Sequence, residues 1–486
     1  MQFTSLGFII FFLLTAFIFY ILPKQILRIV LLLLASTLFY AFYKPEYIVI
    51  IFLIVLIDFF SGLFLDRAKS KKNRKVLLIV GITLNLLLLC YFKYFNFLIG
   101  SVVDVGHIFN SSIKFEPISL LLPLGISFHT FQGLSYLVEI YKKRYKPERN
   151  IVTFSLYILF FPQLAAGPIE RPQALLPQFK IKQSFDQVEA ASGFRLILWG
   201  MFKKLLIADR IAVFINPIFA SPSSFSGFSL LLATFLFGYQ IYCDFSGYTD
   251  IARGTARVFG IKLVKNFNHP YASSSPAEFW NRWHISLYSW FRDYIYIPLG
   301  GSRVSSLKKY RNIFIVFALS GLWHGAAWHF VVWGILNGFY VACATFLRNR
   351  TYEISFPGKR LISIALTFVL IQMTWIFFRA NTIQDAWQIL RSIFSSITQL
   401  SSAWEGLQAG FVSVFSKEAT FGQATIVLSL IVFLELFQYA LRNTPMALWF
   451  QKLPLPVRWA SYYVILLLIM SLGVDIPNVN FIYFTF

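Results

Sequence analysis

Long apolar runs are the feature of this sequence that most restricts its fold. Five of them occupy the first third of the chain, at about 5–22, 26–43, 46–65, 76–99 and 118–141. Runs of about 20 apolar residues are long enough to cross a lipid bilayer as helices. Only 13% of the residues are charged, about half of the share in soluble domains. Because the runs are continuous rather than alternating, we predict an all-α polytopic membrane protein and not an outer-membrane barrel.

Basic residues are concentrated in the short loops between these runs. Six lie between Asp66 and Lys75, and five lie between Lys142 and Arg149. Such loops remain on the cytoplasmic side, and the two assignments agree when the spans are counted. We therefore predict an inner-membrane protein whose N- and C-termini are extracytoplasmic. Contact of the loops with anionic membrane lipid explains the net charge of +22, so nucleic-acid binding is not expected.

The middle of the chain departs from this pattern of simple spans. Residues 151–181 contain four prolines and a glycine that interrupt helices, which predicts a re-entrant segment or an interfacial helix pair. The remaining predicted elements are helical runs at about 190–220 and 227–250, spans at about 361–378, 423–441 and 457–474, and a polar loop at 380–420.

Polar groups isolated in apolar sequence are the first candidates for function. Asp244 is one of them, and an acid in such a run either serves a reaction or braces neighbouring helices. The cysteines at 90, 243 and 343 are too scattered to predict a metal site. We therefore expect no metal.

Residues 275–296 predict an aromatic helix that carries a histidine. Ser275 is a suitable N-cap, with proline at the first helical position and Glu278 completing a capping box. The helix is expected to run to about Tyr296. At helical spacing, its polar side chains at three positions share a face: Asn281, His284 and Tyr288.

A second histidine, His324, follows Trp323 in the apolar run 312–347. This run is too long for one span and is basic at both ends, so we predict that it enters the membrane and returns with His324 near the turn. Imidazole titrates near neutrality and is costly in lipid without a partner or a function. We interpret His284 and His324 as the polar centre of a membrane-embedded reaction chamber.

Six blocks of the chain resemble the membrane-bound O-acyltransferase family, and in particular its bacterial branch that acetylates extracellular polysaccharides. They are LPLGISFHTFQGLSYLVEIYK at 122–142, LFFPQLAAGPIERP at 159–172, YCDFSGYTDIARG at 242–254, FWNRWHISLYSWFRDYIYIPLGGSR at 279–303, LSGLWHGAAWHFVVWG at 319–334 and FIYFTF at 481–486. The resemblance implies one domain in which helices surround a central funnel. Its parts would be peripheral spans at about 1–117, a catalytic core at about 118–378, and terminal spans and a tail at 379–486.

The resemblance also implies that His324 is the catalytic histidine and His284 its family partner. Because a thioester is already activated, one general base can suffice for O-acylation. His324 would take the proton of the attacking hydroxyl, and His284 would orient it or relay the proton. Either side chain could instead be a buried structural histidine, which is the interpretation favoured for His329. Further candidates for the tunnel or the donor contact are Asn281, Trp323, Tyr288, Asp244 and Arg282, although an arginine here could simply reach towards the membrane interface.

The expected donor is acetyl-CoA on the cytoplasmic side. The expected acceptor is an extracellular polysaccharide such as alginate, reached through a periplasmic or extracellular acetyltransferase partner. Tyr483 could accept the acyl group as a phenyl ester and pass it on, or it could be an interfacial aromatic residue. Two alternatives stay open: transfer of D-alanine from a carrier protein to teichoic acid, and proton-coupled transport through the histidines and Asp244.

Overall fold

The computed structural model describes residues 2–109, 115–119, 122–164, 167–348, 357–398, 403–415, 421–442, 444, 446–474 and 481–482. Within these ranges the chain is helical and has no β-strand, so the all-α prediction is confirmed. Two compact units are distinguished. The first contains Met1–Phe194 and Ile251–Val264, and the second contains Arg195–Asp250 and Lys265–Phe486. The predicted single domain and central funnel stay predictions.

The first unit is built on apolar helices that follow the predicted runs closely. They are α1 (Leu6–Ile21), α2 (Gln25–Ala41), α3 (Ile48–Arg67), α4 (Lys71–Leu89), α5 (Phe95–Ile108), α6 (Ile126–Tyr141), α7 (Ile151–Leu159), α8 (Phe161–Leu164) and α9 (Pro172–Lys180). A π-helical turn, Cys90–Tyr94, joins α4 to α5. Asp58 of α3 is among the buried acids of this unit, and it accepts a 2.8 Å hydrogen bond from the Asn85 amide of α4.

Of two predictions about this unit, the structure confirms one and corrects the other. The interrupted helix at 151–181 is confirmed, because three short helices replace one long one, although Pro177 lies inside α9. The predicted span at 118–141 begins too early. Gly125 has a left-handed φ of 70° and is the N-cap of α6, so the described helix starts at Ile126. Glycine adopts this conformation without the steric cost that other residues would meet.

The second unit contains most of the remaining helices, while α10 and α12 are divided between the units. They are α10 (Gln187–Met201), α11 (Asp209–Ala220), α12 (Gly227–Val258), α13 (Pro276–Arg282), α14 (Ile285–Phe291), α15 (Ser306–His324), α16 (Trp328–Arg348), α17 (Lys359–Arg379), α18 (Ile383–Thr398), α19 (Ala403–Phe415), α20 (Phe421–Ala440), α21 (Met446–Lys452) and α22 (Leu455–Leu472). A π-helical turn, Phe202–Ala208, joins α10 to α11.

The predicted polar loop at 380–420 is wrong, because α18 and α19 lie there. The apolar residues Ala386, Ile389 and Ile393 of α18 are fully buried. Their spacing of three and four residues places them on one helical face. Polar residues on the opposite face hid this stripe when the segment was judged by its composition.

Seven helical stretches in the described part of the chain are long and apolar enough to cross a membrane. They are Pro45–Arg67, Lys71–Ile108, Gly227–Val258, Trp328–Leu347, Lys359–Arg379, Gly422–Ala440 and Leu455–Leu472. The apolar helices α1 and α2 are slightly shorter, at 16 and 17 residues. These lengths confirm the prediction of a polytopic membrane protein.

Helices α15 and α16 form the predicted hairpin, with His324 as the last residue of α15. Two glycines allow their backbones to approach closely. A Cβ atom on Gly321 would lie 2.2 Å from the carbonyl oxygen of Phe330, and one on Gly334 would lie 2.3 Å from that of Phe317. Small residues at such positions allow membrane helices to pack closely.

We expect Gly321→Ala to force the two helices apart and to destabilise the protein by about 1–3 kcal/mol, as overpacking does. The measurement is thermal unfolding of the purified protein in detergent. Gly100→Ala is the matched control, because a Cβ on this helical glycine meets nothing within 4 Å. Equal melting temperatures for the two variants would contradict the expected clash.

Candidate functional site

His284 lies at a break between two helices. Its φ of 45° and ψ of 54° are left-handed, so α13 ends at Arg282 and α14 begins at Ile285. The predicted continuous helix to Tyr296 is therefore wrong, and so is the shared face of Asn281, His284 and Tyr288. The predicted N-cap is confirmed, since the Ser275 hydroxyl accepts from the Glu278 amide at 3.2 Å.

Asn266 stabilises this break from a distant part of the chain. Its carbonyl oxygen accepts from the Ile285 amide at 3.0 Å, and its side-chain Oδ1 accepts from the Ser286 amide at 3.1 Å. Asn266 is itself 1% exposed. It therefore satisfies two of the amides at the start of α14 and fixes the backbone next to His284. We identify Asn266 as a positioning residue that the sequence had not suggested.

We expect Asn266→Ala to leave the Ser286 amide without its acceptor and to destabilise the protein by about 1–3 kcal/mol. The displacement of His284 should lower acyl transfer roughly tenfold, the factor that 1.4 kcal/mol corresponds to. Asn266→Asp keeps an acceptor oxygen and should retain more activity. Asn268→Ala is the matched control, because its side chain is exposed and its Oδ1 accepts from Lys265 at 2.9 Å rather than from an amide of α14. Similar activities for the two alanine variants would argue against this role.

His324 lies at the end of α15 in an aromatic environment. It is 5% exposed, and its ring centroid is 4.9 Å from that of Trp323, 5.0 Å from Trp333 and 5.3 Å from Phe378. Imidazole in its neutral form can accept a proton, so a histidine enclosed in this way is a candidate base.

Trp323 links the two histidines. Its ring centroid is 6.0 Å from His284 and 4.9 Å from His324. On the other side of His284, the ring of Phe245 on α12 is 4.7 Å away. The structure thus brings together both predicted histidines and the predicted tryptophan, although His284 lies between α13 and α14 and the other two residues end α15.

A small cavity lies beside His284. Its volume of about 10 Å³ is roughly the space that one water molecule requires. The predicted residue Tyr288 contributes to its wall, which consists of Trp280, His284, Leu287, Tyr288, Phe291, Val316, Phe317 and Ser320. Tyr288 is therefore close to the histidine despite the change of helical direction between them.

Three other residues that the sequence singled out near the two histidines have different surroundings in the structure. Asn281 is exposed, and its amide donates to the carbonyl of Ala277 at 2.8 Å. Arg282 pairs with the carboxylate of Glu278 at 2.6 Å. His329 is buried and lies 2.9 Å through Nδ1 from the carbonyl oxygen of Phe377, which agrees with its structural interpretation.

Asp244 belongs to a buried ion network. Its Oδ1 lies 2.7 Å from Nζ of Lys204, which also pairs with Asp209 at 2.8 Å. The neighbouring Lys203 pairs with Asp250 at 2.7 Å. The acid was predicted from the sequence, whereas the two lysines were not. Their signal was present, because consecutive lysines inside the apolar run 190–220 require acidic partners when buried.

Tyr483, the predicted acyl relay, lies outside the described residues, but the two residues before it are described. Phe481 is 3% exposed and stacks on Tyr248 with a centroid distance of 4.5 Å. It also lies 5.7 Å from Phe245, the ring that contacts His284. Thus one aromatic side chain separates Phe481 from the histidine.

No cluster of three or more His, Cys, Asp or Glu side chains that could hold a metal ion is found among the described residues. The site is instead two imidazoles in an aromatic wall, with one ion network behind Asp244. Imidazoles are groups that can accept and donate a proton, so fold and site together are those of a multi-pass helical membrane protein with a buried histidine pair.

Comparison with known proteins identifies the class of this centre. The model of the MBOAT, membrane-bound O-acyltransferase family, matches residues 146–383. The probable alginate O-acetylase AlgI of Pseudomonas aeruginosa is 35% identical over 398 residues, which are 80% of this chain and 75% of that protein. The chain therefore belongs to the membrane-bound O-acyltransferase family and is an O-acyltransferase.

Two other relatives act on different substrates, as their names state. The peptidoglycan O-acetyltransferase of Helicobacter pylori is 35% identical over 390 residues, or 74% of this chain and 73% of that protein. The teichoic acid D-alanyltransferase of Bacillus subtilis is 30% identical over 270 residues, or 52% of this chain and 67% of that protein. The O-acetylating relatives thus align with a greater share of the chain.

Proposed function

We propose that this enzyme transfers acetyl from cytoplasmic acetyl-CoA across the inner membrane for O-acetylation of an extracellular polysaccharide such as alginate. The observation that carries the proposal is the pair of buried histidines around Trp323, in a chain similar to alginate and peptidoglycan O-acetylating proteins over about three quarters of its length or more. The basic loops, which the positive-inside rule places in the cytoplasm, support the direction of transfer. Polysaccharide acetylation would be completed by a periplasmic partner protein.

His324 is proposed as the general base. As a hydroxyl oxygen attacks the thioester carbonyl, the imidazole takes the hydroxyl proton, the C–S bond breaks, and the thiolate leaves with that proton. His284, in ring contact with Trp323, would stabilise the imidazolium that forms at His324 or relay its proton. The aromatic walls at Trp323, Trp333 and Phe378 exclude water, which strengthens each polar contact during the reaction.

Tyr483 is proposed as the first acceptor. Its phenol oxygen would attack the thioester and form an aryl acetate, with His324 taking the phenol proton and the CoA thiol leaving. An outside hydroxyl would then attack the aryl ester, and the phenol would regain its proton as the new acetate ester forms. Two transfers replace one. The burial of Phe481 and Ile482 near Phe245 supports this role.

D-alanyl transfer is the second candidate, and the Bacillus subtilis relative favours it. Purified enzyme in lipid nanodiscs should distinguish the donors when it is given either labelled acetyl-CoA or a labelled D-alanyl carrier protein. We expect loss of acetyl-CoA, with release of CoA thiol and appearance of labelled acetyl on protein or added polysaccharide. Turnover of the carrier-bound D-alanine alone would overturn the acetyl proposal.

A further inference from the structure

The segment that follows α22 is held by the turn that joins α10 to α11. Helix α22 packs against this π-helical turn. The Arg210 guanidinium donates to the Leu472 carbonyl, and the Val474 amide donates to the Leu205 carbonyl at 3.2 Å. π-helical turns inside α-helices are frequent at functional positions. Here the turn presents both a carbonyl acceptor to the segment and Lys204 to Asp244.

A third hydrogen bond holds the same segment eight residues later. The Ile482 amide donates to Oδ2 of Asp244 at 2.8 Å, in a position where Ile482 is 8% exposed. The other oxygen of this carboxylate, Oδ1, pairs with Lys204 at 2.7 Å. The two oxygens of Asp244 therefore have separate partners. One receives a buried cation, and the other receives the backbone of the terminal segment.

The charges explain why an ion pair is placed here. An ionised carboxylate that is 3% exposed is unfavourable unless a cation and hydrogen bonds compensate its lost hydration. Lys204, 6% exposed, supplies the cation and is itself shared with Asp209. A backbone amide that donates to a charged oxygen makes a stronger bond than one to a neutral acceptor. The Asp244–Lys204 ion pair thus strengthens the hydrogen bond from the Ile482 amide.

We propose that Asp244, paired with Lys204, is a positioning residue that anchors the chain near its end through the Ile482 amide, directly before the proposed relay Tyr483 in the sequence. This inference rests on the proposed relay, because Tyr483 is the residue covalently next to the anchored amide. Phe481 provides an apolar contact with Tyr248 on the same helix, while Asp244 fixes the backbone direction. The family motif YCDFSGYTD would then combine the anchor with the ring contacts of the segment.

The test is hydrogen–deuterium exchange of the full chain in nanodiscs, read at the Ile482 amide by fragmentation mass spectrometry. We expect Asp244→Ala to accelerate exchange at Ile482 at least tenfold, and Asp244→Asn, which keeps an acceptor oxygen, to give a smaller acceleration. The matched control is Asp250→Asn, which removes the other lysine–aspartate pair of α12. It should leave exchange at Ile482 as in the wild type.

Steady-state kinetics distinguish a positioning role of Asp244 from a purely structural one. We expect Asp244→Asn to lower kcat for acetyl transfer while the KM for acetyl-CoA is unchanged, because the donor site is intact and the acceptor is misplaced. Lys204→Arg, which keeps the cation, should retain both exchange protection and kcat near the wild-type values. Unchanged protection of Ile482 in both Asp244 variants would overturn the anchor. If the Asp244 variants lose protection of Ile482 but Tyr483→Phe is fully active, the anchor stands and the relay is overturned.

Discussion

Replacing His324 by alanine should lower acetyl transfer from labelled acetyl-CoA by about 10²–10⁴-fold, the usual contribution of a general base. The imidazole at the end of α15 is the group that would accept the hydroxyl proton, and alanine offers no acceptor. The measurement is release of CoA thiol by purified enzyme in nanodiscs. His324→Gln keeps most of the side-chain volume against Trp333 and Phe378, so it separates lost chemistry from lost packing.

His107→Ala is the control for this experiment, because His107 is an exposed histidine on α5 of the first unit. Its activity should match that of the wild type. An active His324→Gln variant would show that another group takes the proton, and the base assignment would have to be withdrawn.

Replacing Tyr483 by phenylalanine should reduce acetyl transfer to the level of the His324→Ala variant. Phenylalanine keeps the aromatic ring and removes only the oxygen that would carry the acetyl group. In the wild type, labelled acetyl should appear on the protein and be released by neutral hydroxylamine, as expected of an aryl ester. The variant should carry no such label.

Tyr463→Phe is the matched control, since Tyr463 lies on α22 with 59% of its side chain exposed. It should leave both the label and the transfer rate intact. Full activity of Tyr483→Phe would end the covalent relay and leave Tyr483 as an interfacial aromatic residue.

The hairpin that carries His324 was predictable because the features that produce it lie close together in the sequence. A run too long for one span and basic at both ends must turn, and the glycines at 321 and 325 indicate where. The break at His284 was not predictable in this way. Residues 281–287 contain neither proline nor glycine, and the bonds that stabilise the break come from Asn266, about twenty residues away.

Asp244 was likewise predictable from its local sequence, whereas its partners were not. An acid in apolar sequence attracts attention by itself, but its partners Lys204 and Ile482 lie 40 and 238 residues away along the chain. Pairing at such separation is decided by packing rather than by local pattern. Helix α18 was missed for a different reason, since its apolar stripe is regular but polar residues make up the other half of the helix.

The cavity beside His284 has room for about one water molecule, which is far less than a thioester arm or a sugar needs. A donor that reached His284 through this cavity would first have to displace wall residues such as Leu287 or Tyr288. Gating of this kind is common in enzymes that handle reactive groups. A wall that opens only to admit the donor would also limit the hydrolysis of an activated ester by bulk water.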